Sequence, residues 1–229
     1  EGRLRVEPDQ VASYVLSDVV DGAITPDNIN QSVVICLMNT DAYEGVTMLY
    51  SSGAAIAFLP HCRAPYPNDF RGLVQHEACG HAFGKLADEY VYHRDNINTC
   101  TCVCCKHVDD YYAGRLFGWY RNVSLSGKYS DIEWRHLIFH GEYDDIVDIY
   151  EGAFYHSDGV YRSEVNSCMN DNIPYFSTFS RQVMVERIME YAGEKFDLDE
   201  FCRHFKLQRQ AAYYSIVYLE RTGHWTLSE

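Results

Sequence analysis

From His76 to Tyr90 the chain reads H-E-A-C-G-H-A-F-G-K-L-A-D-E-Y, two imidazoles, a carboxylate beside the first, and an acidic pair after a glycine. Neutral imidazole nitrogens suit zinc, and a catalytic zinc takes three protein ligands and keeps a fourth position for water. Glu77, beside the first histidine, is placed to take a proton from that water. Asp88 or Glu89 can supply the third bond; Asp88 is favoured, with Glu89 then orienting a histidine from behind. These residue types point to metal-assisted hydrolysis of a peptide bond.

The spacing sets a condition. On an ideal α-helix, histidines four apart differ by only about 40° in azimuth, whereas His76 and His81, five apart, differ by roughly 140°. A local π-type widening absorbs one extra residue, and Gly80 can relax the backbone for it. The segment is therefore expected to be a distorted zinc-binding helix; the alternative is a regular helix with two unrelated histidines. Asp69 to Val74 reads as its start, with Phe70, Leu73 and Val74 to bury. Phe83 and Leu86 continue an apolar face, and Gly84 offers the exit that returns the acidic pair toward the metal.

The segment resembles the active-site signature of the IgA peptidase family, bacterial zinc endopeptidases of the metzincin type, whose members commonly read H-E-F-G-H followed by a similar L-A-D-E-Y. The extra residue is similar to the H-E-x-x-G-H arrangement of the dipeptidyl-peptidase III family. The resemblance implies Zn²⁺ held by His76, His81 and Asp88, with Glu77 as general base and a protein or peptide as substrate. Downstream, Y-R-S-E-V-N-S-C-M-N over 161–170 resembles the metzincin Met-turn, with Met169 an apolar floor beneath the histidines. Tyr90 and Tyr161, near the two motifs, are candidate donors to the oxyanion of the tetrahedral intermediate. The implied fold is mixed α+β in one catalytic domain over 1–229. An upper lobe (1–90) holds a twisted mixed sheet and the zinc helix; a loop-rich lower lobe (91–229) holds the Met-turn and C-terminal helices. A catalytically silent peptide-binding module on the same scaffold, or a zinc amidase or exopeptidase, are the other readings of these residues.

The chain has 229 residues and a formal charge of −14, which argues against nucleic acid and anionic membranes as partners. No apolar run is long enough to cross a bilayer. The opening E-G-R-L-R-V-E-P has charges and no apolar leader core, so a processed fragment of a longer precursor is expected. Export is implied by the resemblance alone. Nine cysteines include four in T-C-T-C-V-C-C-K-H, over 99–107. Their one-residue gaps fit a disulfide knot or a loop of reduced thiols better than a second zinc site. Cys79 is expected to act as a small buried apolar residue. The remaining histidines are expected to be structural.

Elsewhere, periodicity predicts a helix over 11–21 and a buried central strand over 32–38. It also predicts a weaker strand over 43–50. The metzincin resemblance implies that the run 53–59 is an edge strand along the cleft, where an extended substrate adds by backbone hydrogen bonding, while its composition fits an ordinary buried strand equally well. Proline punctuates a loop over 60–67. Residues 91–160 read as loop-heavy, with 134–139 a strand or short helix. A clear helix spans 177–191, with Phe179, Val183, Ile188 and Tyr191 apolar and Arg181, Glu186 and Arg187 solvated. A further helix is expected from Asp197, and Tyr213 to Leu219 is apolar enough to pack.

Overall fold

The computed structural model describes residues 8–18, 24–25, 28–41, 44–99 and 107–205. The fold is mixed α+β with two mixed sheets. Helix α1 (Pro8–Asp18) starts three residues before its expected position; residues 19–21 lie outside the described residues, as do the cysteines at 100, 102, 104 and 105, His224, and the segment 213–219. Among the described residues no helix is long and apolar enough to cross a membrane.

The first sheet joins β1 (Val33–Met38), β2 (Val46–Leu49) and β3 (Ala55–Pro60) in the order β1-β3-β2, with β3 parallel to β1 and antiparallel to β2. Two strand expectations are reversed. The apolar run β1 is an edge strand, with Ile35 and Leu37 49% and 57% exposed. The expected edge strand is β3, which is central and buried along its length, so no substrate can add to it. Side-chain size explains this: Ala55, Ala57 and Leu59 pack on Leu73, Ala78 and Ala82 of the motif helix. Small residues let helix and strand approach closely, which covers the strand on that face. The weaker candidate over 43–50 supplies β2, the other edge, which runs beside the motif helix.

That helix begins where the sequence predicts. Asp69 caps α2 (Phe70–Leu73), its Oδ1 accepting from the backbone N–H of Arg71 and Gly72 at 3.0 and 3.3 Å. The chain then continues as a π-helix over Val74–Phe83. It ends at Gly84, but the left-handed residue that turns the chain is Lys85, at φ 53°. Gly84 is needed for space, since a Cβ there would lie 2.8 Å from the Gly80 carbonyl oxygen.

The region expected to be loop-heavy holds a second sheet. Strand β7 (Tyr155–Arg162) pairs in parallel with β4 (Val91–Asn96) and antiparallel with β5 (Val123–Ser124) and β6 (Tyr150–Ala153). Register shifts interrupt both the β4–β7 and β6–β7 ladders, which breaks the period-two alternation that announces a strand in sequence. Helix α3 (His107–Leu116) precedes β5, and Trp134–Phe139 resolves as a short helix, α4 (Arg135–Ile138). After β7 come α5 (Cys168–Asp171) and α6 (Thr178–Ala192). Ser177 caps α6 by accepting from the Ser180 N–H at 3.2 Å, and Gly193 closes it at φ 70°.

The large core lies below the motif helix. Trp134, Leu137, Tyr143, Val147, Phe179 and Val183 pack with Leu86 and Met169, and the helical stretch 198–205 adds Phe201 and Cys202. Ile188 and Tyr191, expected to share the apolar face of α6, are exposed because the helix runs past the end of this core. Glu186 is not simply solvated: Arg121 Nη1 donates to its Oε2 at 2.6 Å.

Trp134 is fully buried and its Nε1 donates to the Asp148 carbonyl at 2.9 Å. Trp134→Ala is expected to cost about 3–5 kcal/mol in urea unfolding. Phe139→Ala, at a side chain 77% exposed, should stay within about 0.5 kcal/mol. Lys85 makes a second prediction. Its buried Nζ donates to the Gly53 carbonyl at 2.8 Å, and burial, aided by the Arg187 charge, lowers its pKa from 10.5 to about 7. Between those two values the folded chain binds fewer protons here than the unfolded chain, so this group's contribution to stability rises with pH across that window. Lys85→Met should flatten that rise by up to about 1 kcal/mol per pH unit. Denaturation midpoints between pH 7 and pH 10 check it, and an identical slope in the variant would refute it.

Candidate metal centre

The π-helix resolves the five-residue spacing. A backbone bonded i→i+5 closes a turn in about 4.4 residues, so side chains five apart differ by only about 50° in azimuth. Both imidazoles accordingly face the same way, and their Nε2 atoms are 3.1 Å apart. Asp88 Oδ1 completes a triangle, 2.9 Å from His76 Nε2 and 3.0 Å from His81 Nε2. Ligands on a tetrahedral ion with bonds of 2.0–2.1 Å lie about 3.3 Å apart. The three atoms therefore already stand close to the separation that a shared ion demands.

Tautomers strengthen the fit. His76 Nδ1 lies 2.9 Å from the Cys168 carbonyl oxygen, and His81 Nδ1 lies 2.8 Å from that of Leu86. A carbonyl only accepts, so each neutral ring carries its proton on Nδ1 and turns an Nε2 lone pair inward. Backbone carbonyls behind metal-ligating histidines fix tautomer and ring direction in this way. Two lone pairs and a carboxylate oxygen then converge with only 2.9–3.1 Å between them. With both rings neutral this buried arrangement is repulsive, and a proton or a metal ion among the three atoms relieves it. The titration behaviour expresses the same demand. Burial alone would lower the His81 pKa, but the charge and hydrogen bond of Asp88 and the charge of Glu77 raise it to about 9. Burial would raise Asp88, yet His81 and His76 hold it well below the usual carboxylate range.

His76, Glu77 and His81 bring ligand-capable atoms within 4.8 Å of one another, a cluster able to hold a metal ion. Glu77 is additionally tied to β2, with Thr47 Oγ1 donating to its Oε2 at 2.7 Å. The acidic pair divides its roles differently from the expectation. Asp88 faces the histidines, but Glu89 orients neither of them. Its Oε2 accepts from Ser167 Oγ at 2.6 Å, its Oε1 from Asn122 Nδ2 at 2.9 Å, and its N–H donates to the Met169 carbonyl at 2.8 Å. Successive side chains on this extended stretch point to opposite sides, so only one of the two can reach the rings. Burial raises the Glu89 pKa to about 7, against the pull of Ser167 and Asn122.

Met169 is fully buried and sits directly under the motif helix: a Cβ on Gly80 would come within 2.4 Å of its Sδ. Gly80 thus serves packing, removing a methyl where the sulfur passes. Of the two tyrosines proposed as oxyanion donors, Tyr90 is at the site, its ring stacked on His76 with centroids 6.3 Å apart. Tyr161 is elsewhere, on β7 against Gly127 and Glu151. The residue that sequence reasoning missed is Tyr155. Its hydroxyl donates to Asp88 Oδ2, holding the oxygen that the histidines do not use. Phe154 and Tyr155 both adopt positive φ, 48° and 74°, while their N–H groups donate to the carbonyls of Asp88 and Tyr90. Backbone strain of this kind persists only where surrounding bonds enforce it, and no sequence motif announces it.

Among the described residues, His107, His136 and His156 make protein contacts. His156 Nδ1 lies 2.7 Å from Asp95 Oδ1 and its Nε2 lies 2.8 Å from His107 Nδ1, linking β4, β7 and α3. His136 Nε2 lies 2.8 Å from Gln182 Oε1. Cys79 is a half-buried thiol whose pKa burial raises. No protein-family model matches the chain, and no curated protein matches it.

Gly80→Ala is expected to destabilise the fold by about 1–3 kcal/mol through overpacking on Met169. Combining it with Met169→Ala should cost less than the sum, by about 0.5–3 kcal/mol of coupling. Additive costs in urea unfolding would show that the two residues do not press on each other.

Proposed function

We propose that the chain is a zinc-dependent endopeptidase that hydrolyses peptide bonds in protein substrates. The observation that carries this is the convergence of His76 Nε2, His81 Nε2 and Asp88 Oδ1, with Glu77 beside them. Two imidazoles and one carboxylate, each steadied from behind, are the donor set of a hydrolytic zinc site with a position left open. Bound there, zinc supplies Lewis acidity toward the scissile carbonyl and lowers the pKa of water.

The chain's own residues supply the rest. An extended peptide adds to the free edge of β2, the strand beside the motif helix, by backbone hydrogen bonds. Glu77 accepts the proton of the attacking water and delivers it to the leaving amine. Tyr90, its hydroxyl kept protonated by burial and by the charge of Asp88, donates to the developing oxyanion. Tyr155 and the carbonyls of Cys168 and Leu86 hold the ligands in place. The motif's resemblance to the IgA peptidase family supports this assignment and carries the expectation of export from a bacterial cell.

Zinc-loaded protein should cut casein internally and lose that activity to a chelator, with added zinc restoring it. Glu77→Gln should keep the metal and lose about 10²–10⁴-fold in kcat/KM, whereas His81→Ala should lose metal and turnover together. Near-full activity in Glu77→Gln would remove the general-base role. Stoichiometric zinc without any hydrolysis would favour a silent binding module, and terminal cuts alone would favour an exopeptidase.

A further inference from the structure

The proposed base is held from the side by a strand. Glu77 is buried, and its carboxylate meets Thr47 on β2 and Gly45 just before that strand. Thr47 Oγ1 lies 2.7 Å from Glu77 Oε2 and 3.1 Å from the Glu77 carbonyl oxygen. The hydroxyl has one proton, and the shorter contact, to the carboxylate, takes it. Gly45 lies against the other oxygen: a Cβ there would stand 2.7 Å from both Glu77 Cγ and Oε1. Only glycine lets the backbone pass this close to the carboxylate; any side chain there would push Oε1 aside. Along β2, Thr47 and Leu49 turn inward while Val46 and Met48 are exposed, so Thr47 points at the helix as part of the strand's own alternation.

We propose that Thr47 is the positioning residue for the general base. Its hydroxyl occupies Oε2 and leaves Oε1, which only the small Gly45 flanks, as the oxygen that meets the attacking water. The proton then moves from water to Glu77 Oε1 and from Oε1 to the leaving nitrogen, while Thr47 keeps its own. The strand that receives the peptide thereby also sets the direction of the base, joining substrate placement to proton transfer through Thr47 and the Gly45 that leads into the strand. This inference rests on the peptidase reading of the site.

Its test uses the zinc-loaded full chain. Thr47→Val should lower kcat about 10- to 100-fold, a part of what a general base contributes, with KM within about twofold. Bound zinc and thermal midpoint should be unchanged, and Thr47→Ser, which keeps the hydroxyl, should recover most of the loss. Gly45→Ala should lose kcat similarly, because the methyl displaces the carboxylate. A second readout needs no turnover: acetohydroxamic acid binds zinc and passes its proton to a correctly directed carboxylate. Calorimetric titration should show about tenfold weaker binding to Thr47→Val, a modest hydrogen-bond effect. In a Glu77→Gln background, Thr47→Val should change nothing further. An unchanged kcat in Thr47→Val would overturn the proposal, as would equal losses in Thr47→Val and Thr47→Ser, a loss of zinc, or weaker hydroxamate binding in both backgrounds. Absence of chelator-sensitive hydrolysis in the unsubstituted protein would defeat the peptidase reading alone, since the hydroxamate titration reads the Thr47 role directly.

Discussion

Three electron-pair donors that would repel one another stand within 3.1 Å in the interior of this protein. Much of the surrounding structure holds them there. The Nδ1 atoms of both histidines are committed to backbone carbonyls, so the rings cannot relieve the crowding by changing tautomer. Asp88 is fixed by the Tyr155 hydroxyl and by the Phe154 N–H on its backbone carbonyl, so it cannot swing aside. A buried cluster kept in this state is intelligible as a cation site, because a cation turns the same three contacts from costly to favourable.

The elements around the centre can be ordered by what they contribute to that convergence. The π-helix brings the two rings onto one face. Alanines on β3 let that helix lie close to the sheet, and Gly80 lets it lie close to Met169. Glu89, directed away from the histidines, ties the returning chain to Ser167, Asn122 and the Met169 carbonyl, which fixes where its neighbour Asp88 can point. The second sheet matters chiefly through the strained Phe154–Tyr155 corner, which presents a hydroxyl to the back of Asp88.

The first sheet has a comparable division of labour. Its central strand is spent on packing, and its outer strand β2 remains free along one edge while its inward face reaches Glu77. An edge strand is open to backbone pairing with another extended chain. Here the edge lies beside the proposed proton acceptor, so the geometry that would align a peptide also steadies the group that would act on it.

The amino-acid sequence by itself determined the local chemistry: the clustered imidazoles and carboxylates, the glutamate beside the first histidine, the helix start at Asp69, and the need for a widened turn, because five residues cannot bring two side chains together on a regular helix. It also made α6 legible, since an amphipathic period and caps are local signals. Strand roles were not legible. The apolar run 32–38 reads as central and the alanine-rich run 53–59 as an edge or a buried strand, and neighbours far along the chain decided that the first is an edge and the second central. The second sheet escaped notice because its register shifts erase alternation. Only the tertiary structure could choose Asp88 over Glu89, place Tyr90 and not Tyr161 at the centre, and reveal Tyr155 and Thr47. Thr47, Tyr155 and the Cys168 carbonyl reach the site across 30, 67 and 92 positions of sequence, where no local pattern carries information.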